Sequence, residues 1–248
     1  MQSELMKLSN VSLAYHTVAG ETAAIQHLDL TVYDGEFLAI VGPSGCGKTT
    51  VLSLIMGLMQ PTEGALTFSR NDLRLGYMLQ RDHLLDHRTV EKNVLLGLEV
   101  QHRLTERSKA RAFDLLDTYG LGDFRAYKPQ QLSGGMRQKV ALIRTLALEP
   151  DLLLLDEPFS ALDYQTRLNL SDEVYRIIRS ERKSAILVTH DISEAVSMAD
   201  RVAVFSARPA RLKEIVEIGF PKSMPPLLRR SQPQFHDYFD RIWKELQP

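Results

Sequence analysis

The sequence predicts an α/β protein built around a parallel sheet, and three apolar runs carry that reading. Phe37-Leu38-Ala39-Ile40-Val41, Leu152-Leu153-Leu154-Leu155 and Ala185-Ile186-Leu187-Val188 are continuous rather than alternating. Strands covered on both faces have that pattern. Helical segments fall between the runs, and buried strands alternating with helices build parallel sheets. A chain of 248 residues suits one large domain and buries roughly 70–75% of its extended-chain surface.

Taken in order, Val11 to Tyr15 and Leu28 to Val32 alternate with period two, as half-buried antiparallel strands do. Phe37 to Val41 is entered from Asp34-Gly35 and followed by a helical pattern over Thr49 to Leu58. From Leu84 to Pro150 the chain reads mostly helical, with apolar residues at three-to-four spacing over Val90 to Val100 and Ser108 to Tyr119. Pro129, Gly134 and Gly135 interrupt that pattern before a helix over Met136 to Leu148. The buried-strand rhythm then returns. Leu152 to Leu155 ends in Asp156, Ala185 to Val188 ends in Thr189-His190, and a helix over Ile192 to Met198 leads to Val202-Ala203-Val204-Phe205. Pro221, Pro225 and Pro226 mark a linker. Beyond it Phe235, Tyr238, Phe239, Ile242, Trp243 and Leu246 form one face of an amphipathic helix. That helix is expected to dock on its own domain or a paired copy, the alternative being a membrane surface.

Composition removes whole classes of function. Lys+Arg is 30 and Asp+Glu is 31, a net charge of −1. So even a balance argues against whole-molecule attraction to nucleic acid or anionic lipid. One cysteine excludes an internal disulfide and fits a reducing compartment. No apolar run approaches the roughly 18 residues of a membrane span, and the first ten residues carry no signal-peptide pattern. The expected location is the cytosol, or the cytosolic face of a membrane through a partner.

Gly42-Pro43-Ser44-Gly45-Cys46-Gly47-Lys48-Thr49 fits the phosphate-loop pattern G-x-x-x-x-G-K-[ST] between a buried strand and a helix. Its glycines let the backbone approach closely, and its successive N–H groups form an anion nest at a helix N-terminus. Lys48 can reach the outer phosphates, and the Thr49 hydroxyl can serve Mg²⁺. Thr50 completes the loop, and Cys46 reads as a small filler. The bland alternative is a glycine turn that caps a helix.

Asp156-Glu157 lies just past a buried strand, at the edge where open α/β sheets bind ligands. The first carboxylate is placed to hold Mg²⁺, and the second to orient or deprotonate an attacking water. A helix cap or a surface pair is the other reading. Leu132-Ser133-Gly134-Gly135-Met136-Arg137-Gln138 looks like a second helix start able to bind an anion, or merely a capped helix.

The phosphate loop, Leu132-Ser133-Gly134-Gly135, Leu155-Asp156-Glu157-Pro158, Ser160-Ala161-Leu162-Asp163 and His190 follow one another in the order of the ATP-binding subunits of ABC transporters. The resemblance runs from about Leu5 to Phe220. In its Leu132 to Gln138 motif, its Gly76-Tyr77-Met78-Leu79-Gln80 and its compact length, the chain looks most like the nitrate/sulfonate/taurine importer group. The resemblance implies a P-loop NTPase fold with a mixed RecA-like core sheet, a small antiparallel β lobe and an inserted helical subdomain. It implies one ABC ATPase domain over 1–248. About 1–83 and 151–220 would form the nucleotide-binding core, 84–150 the helical subdomain, and 221–248 the linker and tail helix.

It further implies ATP and Mg²⁺ as cofactors and a head-to-tail pair of copies. Each ATP would lie between the phosphate loop of one copy and Ser133, Gly134 and Gly135 of the other. By the same resemblance Tyr15 would stack on adenine, with a strand tyrosine packed on the core as the alternative. Gln80 would touch Mg²⁺ and water, and His190 the γ-phosphate. Asp163 would line the dimer interface or simply cap a helix. Thr49, Gln80 and Asp156 would serve the metal, and Glu157, His190, Lys48 and Gln80 the catalysis. The implied partners are transmembrane permease subunits, docked in a groove near Gln80 to Leu85, and a separate solute-binding protein. A non-transport ABC-type ATPase and an exporter subunit remain as alternatives. Two features depart from the pattern. Met136 stands where many relatives have glutamine, and Gly64 to Arg74 is short for the usual hairpin, so a trimmed antiparallel lobe is expected. No regulatory module is expected after Phe220.

Overall fold

The computed structural model describes residues 3–17 and 20–247, with side chains for 3–15 and 20–247. Its first two strands, β1 (Glu4–Thr17) and β2 (Gly20–Tyr33), pair antiparallel. With β4 (Glu63–Phe68) on the far side of β1 they make a three-stranded sheet in the order β2-β1-β4. This is the small antiparallel lobe. After β4 the chain leaves for the other sheet instead of returning for a fourth strand.

The larger sheet has six strands in the order β5-β6-β7-β3-β8-β9. β5 (Leu75–Met78), β6 (Leu152–Asp156), β7 (Ser184–Thr189), β3 (Phe37–Val41) and β8 (Arg201–Phe205) run parallel. Edge strand β9 (Leu212–Glu217) is antiparallel to β8, so the sheet is mixed. The continuous apolar runs are explained by two cores, one on each face. Phe37, Ala39, Val41, Leu153, Leu155, Ala185 and Leu187 face one cluster. Their neighbours Leu38, Ile40, Leu152, Leu154, Ile186 and Val188 face the other. The second core is completed by the small sheet and by α1 (Lys48–Ile55).

The first core is covered by helices. α2 (Val90–Val100), α3 (Glu106–Thr118) and α4 (Gly134–Leu146) match the helical zone read from the sequence. Each begins with a side-chain cap, from Thr89, Thr105 and Ser133 in turn. α5 (Tyr164–Ser180) and α6 (Ile192–Met198) link the strands. α7 (Pro226–Arg230) and α8 (Pro233–Leu246) close the chain.

The tail packs on its own domain. Phe235 and Ile242 are buried in the first core, and the Tyr238 hydroxyl accepts from the Gly219 N–H at 3.0 Å. Trp243 stays exposed, stacked on Phe239. Arg229 anchors the segment ahead of α8. Fully buried, its guanidinium donates to the carbonyls of Met224 (2.9 Å), Ala199 (3.1 Å) and Pro221 (3.1 Å) and to the Tyr175 hydroxyl. A buried cation is tolerated where its donors are satisfied in this way.

Ile242→Ala should lower the unfolding free energy by about 2–4 kcal/mol through lost transfer energy and the cavity left behind. Urea denaturation of the whole chain checks this. A loss below about 0.5 kcal/mol, the size of a surface substitution, would show that the tail does not share the core.

Candidate functional site

The site forms where the parallel strands end. Val41 pairs with Thr189, and Asp156 with Val188, so β3, β6 and β7 finish side by side. The next residues, Gly42, Glu157 and His190, therefore emerge along one edge.

Gly42 opens the loop that turns into α1. Gly47, the residue before the helix, has φ +125°, and a Cβ there would stand 2.9 Å from the Ala24 carbonyl oxygen. No side chain fits that backbone. Lys48 is 6% exposed, and its ammonium donates to the Gly42 (2.8 Å) and Pro43 (3.1 Å) carbonyls. Two of its three protons thus brace the loop on itself. Cys46 fills space behind the loop, and burial pushes its thiol above the ordinary value. The loop bounds a cleft of about 210 Å³ lined by Ser44, Gly45, Gly47, Lys48, Thr49, Thr50 and Glu157. From β1 the Tyr15 hydroxyl reaches Thr50 Oγ1 at 3.0 Å, while its half-buried ring packs against the second core, as the alternative reading has it.

Asp156 is 5% exposed. Burial raises its carboxyl above the ordinary value, while donation from Thr49 Oγ1 (3.1 Å) and the Tyr77 hydroxyl (3.2 Å) pulls the other way. The carboxylate in turn raises the Tyr77 phenol, whose own burial acts in the same direction and is the larger cause. Asp156 and Thr49 fit Mg²⁺: both offer hard oxygen donors, and a nearby cation would hold the buried carboxyl ionised.

Glu157 adopts φ +44°, and its N–H donates to the Val188 carbonyl at 2.9 Å. A non-glycine residue in that region is strained and persists only where its surroundings enforce it. The turn aims the carboxylate into the loop cleft. There it lies 3.3 Å from His190 Nδ1 and 3.2 Å from Gln80 Nε2, with Ser160 Oγ accepting from the same amide at 3.5 Å.

The residues read from the sequence thus fall into two groups. Tyr15, the loop from Gly42 to Thr50, Gln80, Asp156, Glu157 and His190 converge. Ser133, Gly134, Gly135 and Asp163 gather elsewhere. Ser133 caps α4 by accepting from the Met136 N–H at 3.3 Å. A Cβ on Gly134 would meet Leu162 at 3.2 Å, and one on Gly135 would meet Thr166 at 3.1 Å. Asp163 caps α5 by accepting from the Thr166 N–H at 3.0 Å. Ser133 and Gly134 are open to solvent, and Met136 turns toward the core. Within the stretch expected near the permease groove, Leu84 is 8% exposed and packs in the core, whereas Leu79 is exposed and Leu85 half-buried. Tyr77 and Ser160 are site residues to which no role was assigned from the sequence. The one available signal for Tyr77 was its place near the end of a short strand, beside the strand that ends in Asp156.

The family model described as "ABC transporter" matches residues 25–160. The chain belongs to the ABC transporter family. It is an ATP-binding subunit whose ATP hydrolysis is coupled to transport. Among its relatives is an uncharacterized ABC transporter ATP-binding protein, YtlC, of Bacillus subtilis. That protein is 45% identical over 97% of this chain and 95% of its own length. The aliphatic sulfonates import ATP-binding protein SsuB of Bacillus licheniformis is 37% identical over 92% and 88%. A solved ATP-binding cassette, in a dimeric post-hydrolysis state bound to ADP and Pi, superposes with a TM-score of 0.73. It is 29% identical and covers 87% of this chain and 100% of its own.

Tyr77→Phe removes a donor from a buried carboxylate. It should cost about 1.5–3 kcal/mol at pH 8, as hydrogen bonds to charged groups do. The cost should shrink as acid protonates Asp156, because a neutral carboxyl needs that donor less. A cost that does not change with pH in urea titrations would mean that the pair is not charge-assisted.

Proposed function

We propose that this subunit drives import of a small nutrient of the nitrate, sulfonate or taurine class. It would work as a head-to-tail dimer on permease subunits at the cytosolic face of the membrane. The observation that carries the site's chemistry is the placement of Glu157. It lines the phosphate-loop cleft and is held between His190 and Gln80. A carboxylate so placed orients and deprotonates water for attack on a γ-phosphate. Lys48, His190 and the loop N–H groups stabilise the charge that develops on the phosphoryl oxygens. Thr49, Asp156 and Gln80 would hold Mg²⁺, which when bound would neutralise phosphate charge. Tyr15 stacks on adenine.

The exposed Ser133-Gly134 helix start, set apart from the cleft, supports the head-to-tail arrangement: it serves the nucleotide of the partner copy. Asp163 lies beside it and lines the same interface. Residues 84–150 act as the helical subdomain, 1–83 and 151–220 as the nucleotide-binding core, and 221–248 as linker and tail. The exposed Gln80 and Leu79 and the half-buried Leu85 form the surface that meets the permease. Among the described residues no helix is long and apolar enough to cross a membrane, which agrees with attachment through a partner. The similarity to an aliphatic sulfonate importer supports the substrate class, and a separate solute-binding protein would deliver that substrate.

Glu157→Gln should abolish phosphate release and trap an ATP-bound dimer, read by size-exclusion chromatography. Substantial residual hydrolysis would remove Glu157 from the role of base. Affinity capture of the tagged chain from detergent-solubilised native cells should recover a stoichiometric polytopic membrane protein. Recovery without any membrane protein, with or without ATP, would favour a non-transport ATPase.

A further inference from the structure

His190 is half exposed where it meets Glu157, but its backbone is gripped from behind. Thr189, the residue before it, donates its hydroxyl to Glu194 Oε2 at 2.7 Å and accepts from the Asp191 N–H at 3.0 Å. Asp191, the residue after it, caps α6 by accepting from the N–H groups of Ser193 (2.7 Å) and Glu194 (3.2 Å). Both neighbours of His190 are therefore tied to Glu194 or to the helix turn that carries it.

Glu194 itself is 3% exposed. One cation from another element lies near it, and the charge of a second acts on it. Arg167 of α5 places Nε 3.9 Å from Glu194 Oε1 and Nη1 3.5 Å from Asp191 Oδ2, while its Nη2 donates to the Leu162 carbonyl at 3.1 Å. Arg230 ends α7, which packs on both α5 and α6. Its charge acts on Asp191 and Glu194, and its Nε is buried without a hydrogen-bond partner. The neighbouring Arg229 pins α7 through the three carbonyls already described.

We propose that Glu194 is a positioning residue for His190, clamped between Thr189 and Arg167, and that Arg230 completes the clamp from the carboxyl-terminal segment. The inference rests on the reading that places His190 at the γ-phosphate. Its physical ground is the expense of the arrangement. A buried carboxylate costs stability that an uncharged side chain of the same size would not. Burial pushes the Glu194 carboxyl up to about 7. Asp191 adds to the rise, and Thr189, Arg167 and Arg230 oppose it. The folded chain thus keeps a proton that the unfolded chain releases near the ordinary value of 4.5. Stability falls as pH rises through that window. Above it the ionised carboxylate pulls on Arg167 and holds the His190 segment; below it the pull is lost.

The test compares the full-length wild-type chain with Glu194→Gln, Arg230→Gln and His190→Ala, measuring melting and ATPase kinetics from pH 6 to 9. Glu194→Gln should melt higher than wild type at pH 8, with a smaller gap at pH 6. Its kcat should nevertheless fall about tenfold with KM for ATP within about twofold, as expected for a misplaced catalytic group. The wild-type kcat should drop on acidification through about pH 7, and Glu194→Gln should lack that step. Arg230→Gln should move the step to higher pH, because it removes a cation that favours the carboxylate. Wild-type kcat and pH profile in Glu194→Gln would overturn the proposal. So would a kcat loss that merely follows a loss of melting temperature. Wild-type hydrolysis by His190→Ala would instead overturn the underlying assignment of His190.

Discussion

The centre of the site depends on the register of three parallel strands. Because β3, β6 and β7 end level, the phosphate loop, the Asp156-Glu157 pair and His190 are delivered to one edge without any long connection. Slipping β6 by one residue would swap Leu153 and Leu155 into the wrong core and move Asp156 out of reach of Thr49. The two-sided burial that makes these strands look monotonous in sequence is what makes their register strict.

On that frame, three of the buried charges have partners in place. Lys48 is satisfied by its own loop, Asp156 by hydroxyls from two different elements, and Arg229 by backbone carbonyls. Glu157 is arranged differently. Its backbone is held in a left-handed turn while its carboxylate stays at the cleft, touched by two side chains that come from separate segments. On the proposed reading, the buried groups would bind and the carboxylate at the cleft would act on water, a division of labour that suits phosphoryl transfer.

Much of this was legible beforehand. The phosphate loop and Asp156-Glu157 could be read because each follows a continuous apolar run, and His190 because its place in the order of motifs resembles that of the family. Helix bounds over Val90 to Val100 followed from spacing. Edge strand β9 was not legible, because Leu212 to Glu217 is half exposed and mixes lysine and glutamates among its apolar residues. Nor was the inward turn of Leu84, since Leu84 and Leu85 look alike until the loop's path selects one of them. The support of Asp156 by Tyr77 and of Thr189 by Glu194 escaped for a general reason. Hydrogen bonds between side chains of different elements leave no periodic trace in a sequence.

The strand order also dictates when the molecule can become whole. β3, which carries the phosphate loop, sits between β7 and β8 at the centre of the sheet. Its two neighbours are encoded near the other end of the chain. A ribosome adding about 5–20 residues per second needs on the order of ten to thirty seconds to pass from the end of β3 to the end of β7. Through that interval the nascent Phe37 to Val41 segment has neither lateral partner. The strand that carries the loop is thus made early and can pair with its neighbours only late.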